Sequence, residues 1–525
     1  MEKLVYFAKS MPQAMEQQDG QELSFNQRLL AVLDIPGLQY VFDRRKHPVE
    51  RIFWLLVILA AIWGMLFLCQ YQYDRYRASP TAIQLDKDYR DWVGIMPGLT
   101  FCFHDRIDWN RAWEYLERIQ LTDHAATREG LSVNETSGTY QRFLAEFVET
   151  LVDATATNLG NLSHFLTDSL LATDVNILEL ISTVGARDFP VRGGAASLTQ
   201  NFATVHCTQV HPSHDIAINS FLPAHQARLQ VHQIVTEHGI CYALNAPLTF
   251  LQQVNGTNGH TALNKGFPDW KPIECEFSKH LCYMKLDMFR STVSYTIHSP
   301  YELATSDQLF TNVQESDELV SLYSLFETVA DERLKELTVH QRNCYFYDES
   351  YEHLSYYSRN LCIMNCRAKR ALAACRCRPH FYPFAEGPVC NVAGLHCLQQ
   401  HPDWNWNRNC KCLKSCTDVD YNVASLSKTQ WTAEGGIPFT HKASLRWEIL
   451  QPTSRLRRVL IFSYEDLLVS FGGAIALFCG KNGLYLSNLF EFFVIELATF
   501  IQRMFNKRKQ KKRRKKHVVR IVEPK

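Results

Sequence analysis

Polar residues interrupt the last apolar stretch of the chain, which runs from Leu467 to Phe505. The segment Gly480-Lys481-Asn482-Gly483 divides this stretch. A lysine at the centre of a membrane helix costs roughly 2.5 to 3.5 kcal/mol, so Lys481 should face water or a partner rather than lipid. Three polar residues below the break share one helical face: Ser487, Asn488 and Glu491. The pattern favours a helix that lines an aqueous path, and a membrane anchor with a glycine kink is the alternative.

Two apolar segments could position such a helix in a membrane, which takes about 20 apolar residues. The first runs from Ile52 to Cys69 without a charge, and the second is the stretch that ends at Phe505. Basic residues between Arg44 and Arg51 precede the first, and the basic run Lys507 to Lys516 follows the second. Basic flanks favour the cytoplasmic side. We therefore expect a multi-pass plasma-membrane protein with both termini in the cytoplasm.

This topology divides the chain into five segments. We expect a cytoplasmic N-terminus over 1–51, a first transmembrane helix over 52–70, an extracellular cysteine-rich domain over 71–466, a second transmembrane helix with the pore over 467–505 and a basic cytoplasmic tail over 506–525. The first span starts too late and is too long for a cleaved signal peptide. The net charge of +1 gives no indication of a nucleic-acid partner.

The composition of the segment between the spans indicates an oxidising, extracellular environment. Fifteen of the seventeen cysteines lie between Cys102 and Cys416, and a dense set in an extracellular segment predicts disulfides. Three N-x-S/T triplets in the same segment predict glycosylation, at Asn134, Asn161 and Asn255.

Ten cysteines from Cys344 to Cys416 close this segment. Cys362 and Cys366 lie four apart in a helix-like stretch, a rise of about 6 Å. Cys410 and Cys412 lie two apart in an extended stretch, a rise of about 6.6 Å. Because the two spacings match, we predict an antiparallel ladder, with the pairs Cys362–Cys412, Cys366–Cys410, Cys344–Cys416, Cys375–Cys397 and Cys377–Cys390. Spacing alone does not determine connectivity, so the ladder is a hypothesis.

Catalytic and metal motifs are not found in the sequence. A catalytic triad, an H-E-x-x-H motif and a phosphate loop are missing. Cys207, His211 and His214 could suggest a metal site, but they lack a fourth ligand at a recognisable spacing. We therefore expect no enzyme activity, no catalytic residue, no metal and no cofactor.

Apolar spacing predicts the secondary structure around these motifs. Helical periodicity predicts helices over Trp109 to Ile119 and Tyr140 to Leu171. Aromatic and β-branched residues predict strands over Trp92 to His104, Gly239 to Phe250 and Thr292 to Tyr301. The expected extracellular segment is therefore mixed α and β.

Several motifs between and beside the spans occur together. They are Met96-Pro97-Gly98-Leu99-Thr100-Phe101-Cys102, Gly239-Ile240-Cys241-Tyr242-Ala243-Leu244-Asn245, Ile297-His298-Ser299-Pro300, the ten-cysteine block, and Phe462-Ser463-Tyr464-Glu465-Asp466 leading into LLVSFGG. With these motifs the chain resembles the degenerin/epithelial sodium channel family, and within it the pickpocket branch.

The resemblance implies a membrane protein with two transmembrane helices and a large disulfide-rich α+β ectodomain. The ectodomain would have a palm β-sheet with helical finger and thumb. The resemblance also implies the disulfides Cys102–Cys241 and Cys275–Cys282, which leaves Cys207 unpaired. A trimeric channel is implied as well. This fits the physics, because two helices cannot enclose a channel whereas a symmetric ring of the second span can.

The resemblance also assigns roles to residues of the pore and the gate. The selectivity filter of the family aligns with Gly480, Lys481 and Asn482. Pro36 and Gly37 replace a His-Gly pair at a gating turn, and Val469 falls where bulky side chains hold family channels open. The residues expected to line the pore are Ser470, Gly473, Ser487, Asn488 and Glu491.

Lys481 is the main departure from the family pattern. Like charges roughly 4 Å apart at an effective dielectric near 20 repel by about 4 kcal/mol, so three lysines ringing a narrow pore would oppose cations. We therefore expect a subunit of a sodium-permeable cation channel, gated by a ligand or by force, that works in heterotrimers with other subunits of the family. A non-conducting receptor or adhesion protein with the same topology is the alternative, and an extracellular enzyme is a weaker one.

Overall fold

A computed structural model of the chain describes residues 41–42, 46–88, 92–119, 133–173, 175–185, 207–210, 216–220, 231–252, 272–278, 281–289, 291–431, 441–479, 494 and 497. At 133–139, 169, 207–210, 216–220 and 479 it describes the backbone alone. The chain forms two compact units. The first comprises Met1–Pro80 with Ile461–Lys525, and the second is Thr81–Leu460.

Several helices begin at a polar side chain that accepts a hydrogen bond from the first turn. Asp108 accepts from Asn110 and Arg111, and Ser358 accepts from Leu361. The α-helices of the described residues are α1 Pro48–Ala78, α2 Trp109–Arg118, α3 Val133–Val152, α4 Ser169–Thr173, α5 Ile177–Val184, α6 Val339–Arg342, α7 Arg359–Cys375, α8 Val392–Gln400 and α9 Tyr464–Cys479. Short 3₁₀-helices occupy Leu159–Thr167, Pro247–Gln252, Glu332–Glu336 and Pro402–Asn405.

The strands of the described residues all belong to the second unit. They are β1 Thr81–Asp86, β2 Val93–Ile95, β3 Gly98–Phe103, β4 Cys207–Val210, β5 Ile216–Ser220, β6 Val231–Thr236, β7 Gly239–Leu244, β8 Glu274–Glu276, β9 Tyr283–Met288, β10 Val293–His298, β11 Thr311–Asn312, β12 Asp317–Ala330, β13 Asp418–Gln430, β14 Ala443–Leu450 and β15 Arg455–Leu460.

An eight-stranded sheet forms the centre of this unit, in the order β1-β15-β12-β14-β9-β5-β4 with β13 paired to β12. The long strand β12 pairs antiparallel with β13 along one edge. Along the other edge it pairs in parallel with β14 over Glu318 to Ser324 and with β15 over Thr328 to Ala330. At the margin of the sheet, β1 pairs with β15 over six residues, from Thr81 opposite Leu460 to Asp86 opposite Arg455.

A five-stranded sheet, β11-β10-β3-β7-β6, and the two-stranded sheet β2-β8 complete the β structure. Alternate residues of the large sheets bury one apolar core, in which Phe101 and Trp447 are fully enclosed. The helices α2, α3, α5, α7 and α8 share a separate core, in which Phe147, Phe165 and Leu395 are inaccessible to solvent. Burial of side chains of this size is the main source of stability in such cores.

The predicted helix over Tyr140 to Leu171 is interrupted, since α3 ends at Val152. The side chain of Asn158 explains the break. Its Oδ1 accepts from the Thr155 backbone N–H at 2.6 Å, and its Nδ2 donates to the Asp153 carbonyl at 2.9 Å. Short polar side chains that bind the backbone in this way compete with helical hydrogen bonds. The chain continues as the 3₁₀-helix Leu159–Thr167.

The predicted strand from Gly239 to Phe250 ends early, at Leu244. Asn245 follows in a left-handed conformation, with φ 54°, which a strand cannot accommodate. The Asn245 side chain donates to the Met96 carbonyl at 2.6 Å and accepts from the Ile273 N–H at 2.9 Å. Residues beyond it form a 3₁₀-helix instead of a strand.

In the first unit, α1 is the one helix of the described residues that is long and apolar enough to cross a membrane. At 1.5 Å per residue its 31 residues reach about 46 Å. None of its residues is buried within the chain. A surface this apolar is suited to lipid and to other membrane helices.

Candidate functional site

The first unit, Met1–Pro80 with Ile461–Lys525, is called the membrane unit below. Its second helix, α9, begins with a reciprocal cap between Ser463 and Asp466. The Asp466 backbone N–H donates to Ser463 Oγ at 3.1 Å. In return, Asp466 Oδ2 accepts from the Ser463 N–H at 2.9 Å and from Ser463 Oγ at 2.8 Å. Such a capping box satisfies free backbone donors and places the start of α9 at Tyr464.

Helices α1 and α9 pack against each other at both ends. Near the end of α9, Phe478 covers Gly64, and a Cβ at position 64 would lie 2.7 Å from the ring. Glycine therefore allows the close approach. At the other end, the Arg75 guanidinium lies 5.1 Å from the Phe462 ring centroid. The Tyr76 ring lies 6.5 Å from the rings of Phe462 and Tyr464.

The opposite face of α9 has no cover from the described part of the chain. Leu467 and Ala474 are 4% and 6% exposed, whereas Val469 and Leu477 are 75% and 73% exposed. Gly473 lies between the last two on the same face, four residues from each, and a Cβ there would meet nothing within 4 Å. Val469, Gly473 and Leu477 are called the open stripe below. Ser470, also predicted to line a pore, is half-buried beside it.

Most of the predicted pore and gate lies outside the described residues. This applies to Pro36, Gly37, Gly480, Lys481, Asn482, Ser487, Asn488 and Glu491. It applies equally to Asn255 and to the side chains of Asn134 and Cys207. Asn161 is described and lies exposed on the 3₁₀-helix Leu159–Thr167, so a glycan could attach without displacing protein.

Seven disulfides brace the described part of the ectodomain, and their pairs are the same as those expected above. The pair Cys102–Cys241 joins neighbouring strands β3 and β7, and Cys275–Cys282 closes a short loop. The remaining five pairs stabilise the region around α7: Cys344–Cys416, Cys362–Cys412, Cys366–Cys410, Cys375–Cys397 and Cys377–Cys390.

One detail of the predicted ladder is wrong. Cys362 and Cys366 do lie on helix α7, but Cys410 and Cys412 are not part of a strand. The Cys412 N–H donates to the Cys410 carbonyl at 2.9 Å, which makes this segment a tight turn. The turn and not a sheet register therefore sets the separation of the two cysteines.

A buried ionic network connects α7 to the five-stranded sheet. The Arg367 guanidinium donates to Glu237 at 2.7 Å and to Asp307 at 2.7 Å, and its Nε donates to Asn407 at 3.0 Å. Arg367 is 1% exposed, and the Tyr382 hydroxyl donates to the same Glu237 carboxylate. Burial alone would lower the pKa of Arg367, but Glu237 and its neighbours hold it above its ordinary value.

A second carboxylate holds the start of α7. Glu302 accepts hydrogen bonds from the backbone N–H groups of Arg359 at 3.0 Å and Asn360 at 2.9 Å. Burial raises the pKa of Glu302 to about 7, although these hydrogen bonds favour its charged form. Sequence reasoning singled out neither Glu302 nor the Arg367 network. Glu237 and Arg367 are 130 positions apart, so no local spacing could have linked them.

Three features define the class of protein. The chain has an apolar helix, α1, and a second helix, α9, that packs on it. In the sequence, a disulfide-rich and β-rich domain lies between these two helices. This is a membrane protein with a braced ectodomain. The model of the amiloride-sensitive sodium channel family matches residues 31–492, and the chain belongs to this family. The resemblance to degenerin/epithelial sodium channels is thereby confirmed. Members are plasma-membrane ion channels and not enzymes.

Curated relatives are similar over part of the chain. The sodium channel protein Nach of Drosophila virilis is 29% identical over 33% of this chain and 48% of its own length. The protein of the same name from Drosophila melanogaster is 25% identical over 33% of this chain and 35% of its own length. The chain is thus matched to half or less of the length of these relatives.

Proposed function

We propose that this chain is a subunit of a sodium-permeable cation channel of the plasma membrane. In this proposal α1 and the helix that begins with α9 cross the membrane, both termini are cytoplasmic, and three subunits surround the pore. The division into five segments given above is part of the same proposal. The names of the Nach relatives support sodium as the permeating ion.

The open stripe on α9 carries the proposal. Its side chains are exposed while the opposite face of the same helix packs on α1. The uncovered face of a membrane helix can contact lipid. It can also contact the same helix of other subunits that are arranged around a symmetry axis. Closed symmetry turns such a face into a ring that surrounds an aqueous path. Val469 and Gly473, which the family pattern places at the gate and in the pore, are both in this stripe.

The route from ectodomain to pore supports gating by a ligand or by force. The paired strands β1 and β15 continue directly into the two helices: α1 ends at Ala78 before β1 begins at Thr81, and β15 ends at Leu460 before α9 begins at Tyr464. Asp86 and Arg455 tie the far ends of these strands at 3.3 Å. A movement of the strand pair would therefore reach both helices through short connections.

Lys481 supports heteromers, since a single lysine in a ring of three costs far less repulsion than three. The test is to record currents from cells that express this chain alone and with other subunits of the family. We expect little sodium current from the chain alone, current from a suitable mixture, and a larger current after Lys481→Ser. A robust sodium-selective current from the chain alone would contradict the heteromer.

The same lysine favours a second candidate, a non-conducting receptor with channel topology. Val469→Phe separates the two, because a bulky residue at the gate should increase the current of a channel. If this variant reaches the cell surface in trimers but gives no current with any partner, the receptor function is supported instead.

A further inference from the structure

One side of the eight-stranded sheet exposes a group of large apolar side chains. The described part of the second unit has eleven exposed large apolar residues in all. Five of them lie together on this side of the sheet, and they are called the apolar face below: Ile83, Leu85, Phe326, Leu450 and Leu456. Between 41% and 59% of each of these side chains is open to solvent.

The pairing of the strands places three of these side chains next to each other. Leu85 of β1 lies directly opposite Leu456 of β15, and Leu456 lies beside Thr328 of β12. Paired residues point to the same side of a sheet and lie about 5 Å apart. Ile83, two residues before Leu85, points the same way because side chains alternate along a strand. Ile83, Leu85 and Leu456 therefore form one continuous patch.

The long strand β12 adds the other two side chains to this patch. Phe326 lies two residues before Thr328 and points to the same side. Ser324, two residues further back, lies beside Leu450 of β14. Leu325, which points the opposite way, is 5% exposed, whereas Phe326 is 59% exposed. One side of β12 is thus buried in the core and the other is open.

Charged residues lie further along the same side of the sheet, and they pair with each other. Lys285 Nζ lies 3.1 Å from Asp287 Oδ1, and Arg446 forms an ion pair with Glu448. The register of β9 and β14 places Arg446 beside Lys285. This part of the sheet is suited to water. A partner that binds the apolar face must instead present apolar surface of its own, because the gain comes from removing apolar groups from water.

Another subunit is the partner that fits the apolar face best. Contiguous apolar patches are uncommon on the surface of soluble monomers, and permanent subunit interfaces are the most hydrophobic class of interface. The chain belongs to a channel family whose members assemble as multimers. Only three residues, 461–463, separate β15 from α9. Subunits that associate through α9 therefore keep their β1–β15 strand pairs at a high local concentration.

We propose that the apolar face packs on the corresponding face of the neighbouring subunits and is buried in the assembled channel. In a closed ring, each copy of the face contacts its copies around the symmetry axis. The inference rests on the proposed function, because it requires an assembly of subunits. It adds a contact between ectodomains to the contact that the open stripe on α9 would make in the membrane.

Hydroxyl-radical footprinting of the purified full-length protein tests the burial directly. Multimers, formed alone or with a co-expressed subunit of the family, are compared with monomers in a detergent that keeps the fully buried Trp447 protected. Mass spectrometry then gives the oxidation rate of each side chain. We expect Phe326 and Leu85 to be oxidised about five- to tenfold more slowly in the multimer, in line with near-complete burial at an interface core. Leu309, which is 92% exposed and lies outside the face, should react equally in both. Equal rates for Phe326 in the two states would overturn the proposal.

A charge on the apolar face supplies an independent test. Phe326→Glu should shift the concentration at which subunits dissociate by about tenfold or more, because a carboxylate at the contact would lose its water. Leu309→Glu is the matched control and should cause no shift. Both side chains are exposed, so neither substitution removes a buried contact within one subunit. Mass photometry over a dilution series gives the multimer fraction.

Two results of the dilution series would contradict the proposal, and they differ in what they leave standing. Unchanged multimers in Phe326→Glu would overturn the contact between apolar faces and leave the channel proposal intact. A wild-type chain that stays monomeric, alone and with every co-expressed subunit of the family, would overturn the trimer of the proposed function together with this contact.

Discussion

The region around α7 and the helix pair of the membrane unit differ in how many of their contacts come from the same subunit. Around α7, five disulfides and the buried Arg367 network tie the helix to other segments of the same subunit. In the helix pair, one face of α9 packs on α1 and the other is open. The first region is stable within one subunit, whereas the second is suited to an assembly.

The difference predicts which property a substitution changes in each region. Changes around α7 should lower the stability of a subunit whatever its partners are. Changes in the open stripe should leave the subunit folded and alter conduction or assembly. The four predictions below probe this contrast in order of decreasing effect.

Removal of the outermost disulfide of the α7 region should have the largest effect. Cys344 and Cys416 lie 72 positions apart, but the retained Cys362–Cys412 bond shortens the loop that they close. Removal of the Cys344–Cys416 bond therefore predicts a loss of about 3 to 4 kcal/mol. Thermal unfolding of Cys344→Ser/Cys416→Ser checks the value. Cys69→Ser, which removes a free thiol in α1, is the control. Equal unfolding temperatures for the two variants would contradict the bracing role.

Loss of Arg367 should come next. Arg367→Met leaves the carboxylate of Glu237 buried without its cation, which should cost about 3 kcal/mol of unfolding free energy. Lys369→Met is the matched control, since it removes an exposed ion pair on the same helix that should be worth about 1 kcal/mol at most. Chemical denaturation of the two variants gives the comparison. A similar small loss for both would show that the buried network does not stabilise α7.

On α9, the same substitution should act differently on the two faces. Ala474→Phe inserts a ring where Ala474 is 6% exposed, and overpacking of this kind costs about 1 to 3 kcal/mol. Val469→Phe places the ring on the open stripe and should change unfolding by less than about 0.5 kcal/mol. Thermal unfolding in detergent measures both. If Val469→Phe proves the more destabilising, the two faces are assigned the wrong way round.

The smallest effect concerns pH. Because the pKa of Glu302 rises from 4.5 to about 7 on folding, the folded protein binds more protons than the unfolded chain between these values. Stability contributed by this group is therefore present at low pH and is lost as pH rises towards 7. Glu302→Gln should flatten the dependence of the unfolding temperature on pH in this window. The exposed Glu332→Gln is the control, and an unchanged slope in Glu302→Gln would refute the prediction.

Local spacing predicted the features that depend on neighbours in sequence. The positions of Cys362 and Cys366 on a helix, the α1 span and the strands β3 and β10 follow from periodicity and composition. Hydrogen bonds from side chains to backbone groups were not predicted in this way. Asn158 ends a helix and Asn245 ends a strand through specific hydrogen bonds that no apolar pattern reveals.

The long-range pairing of the strands could not be predicted from the sequence, although the long-range disulfides Cys102–Cys241 and Cys344–Cys416 were expected. The pairing of β12 with β13 on one edge and with β14 and β15 on the other joins segments far apart in the chain. The Arg367 network was not predicted either, because Glu237 and Arg367 are 130 positions apart in the sequence. The role of Val469 follows from a resemblance and stays a prediction, and its side chain is 75% exposed in the single chain.

The most direct test is whether the open stripe faces water in the assembled protein. Cysteines introduced singly as Val469→Cys, Gly473→Cys, Leu477→Cys and Ala474→Cys, with Cys69 and Cys479 replaced by serine, would be exposed to a charged thiol reagent that lipid excludes. We expect rapid labelling at positions 469, 473 and 477 and slow labelling at 474. Absence of labelling at all three stripe positions would place this face in lipid and contradict a pore.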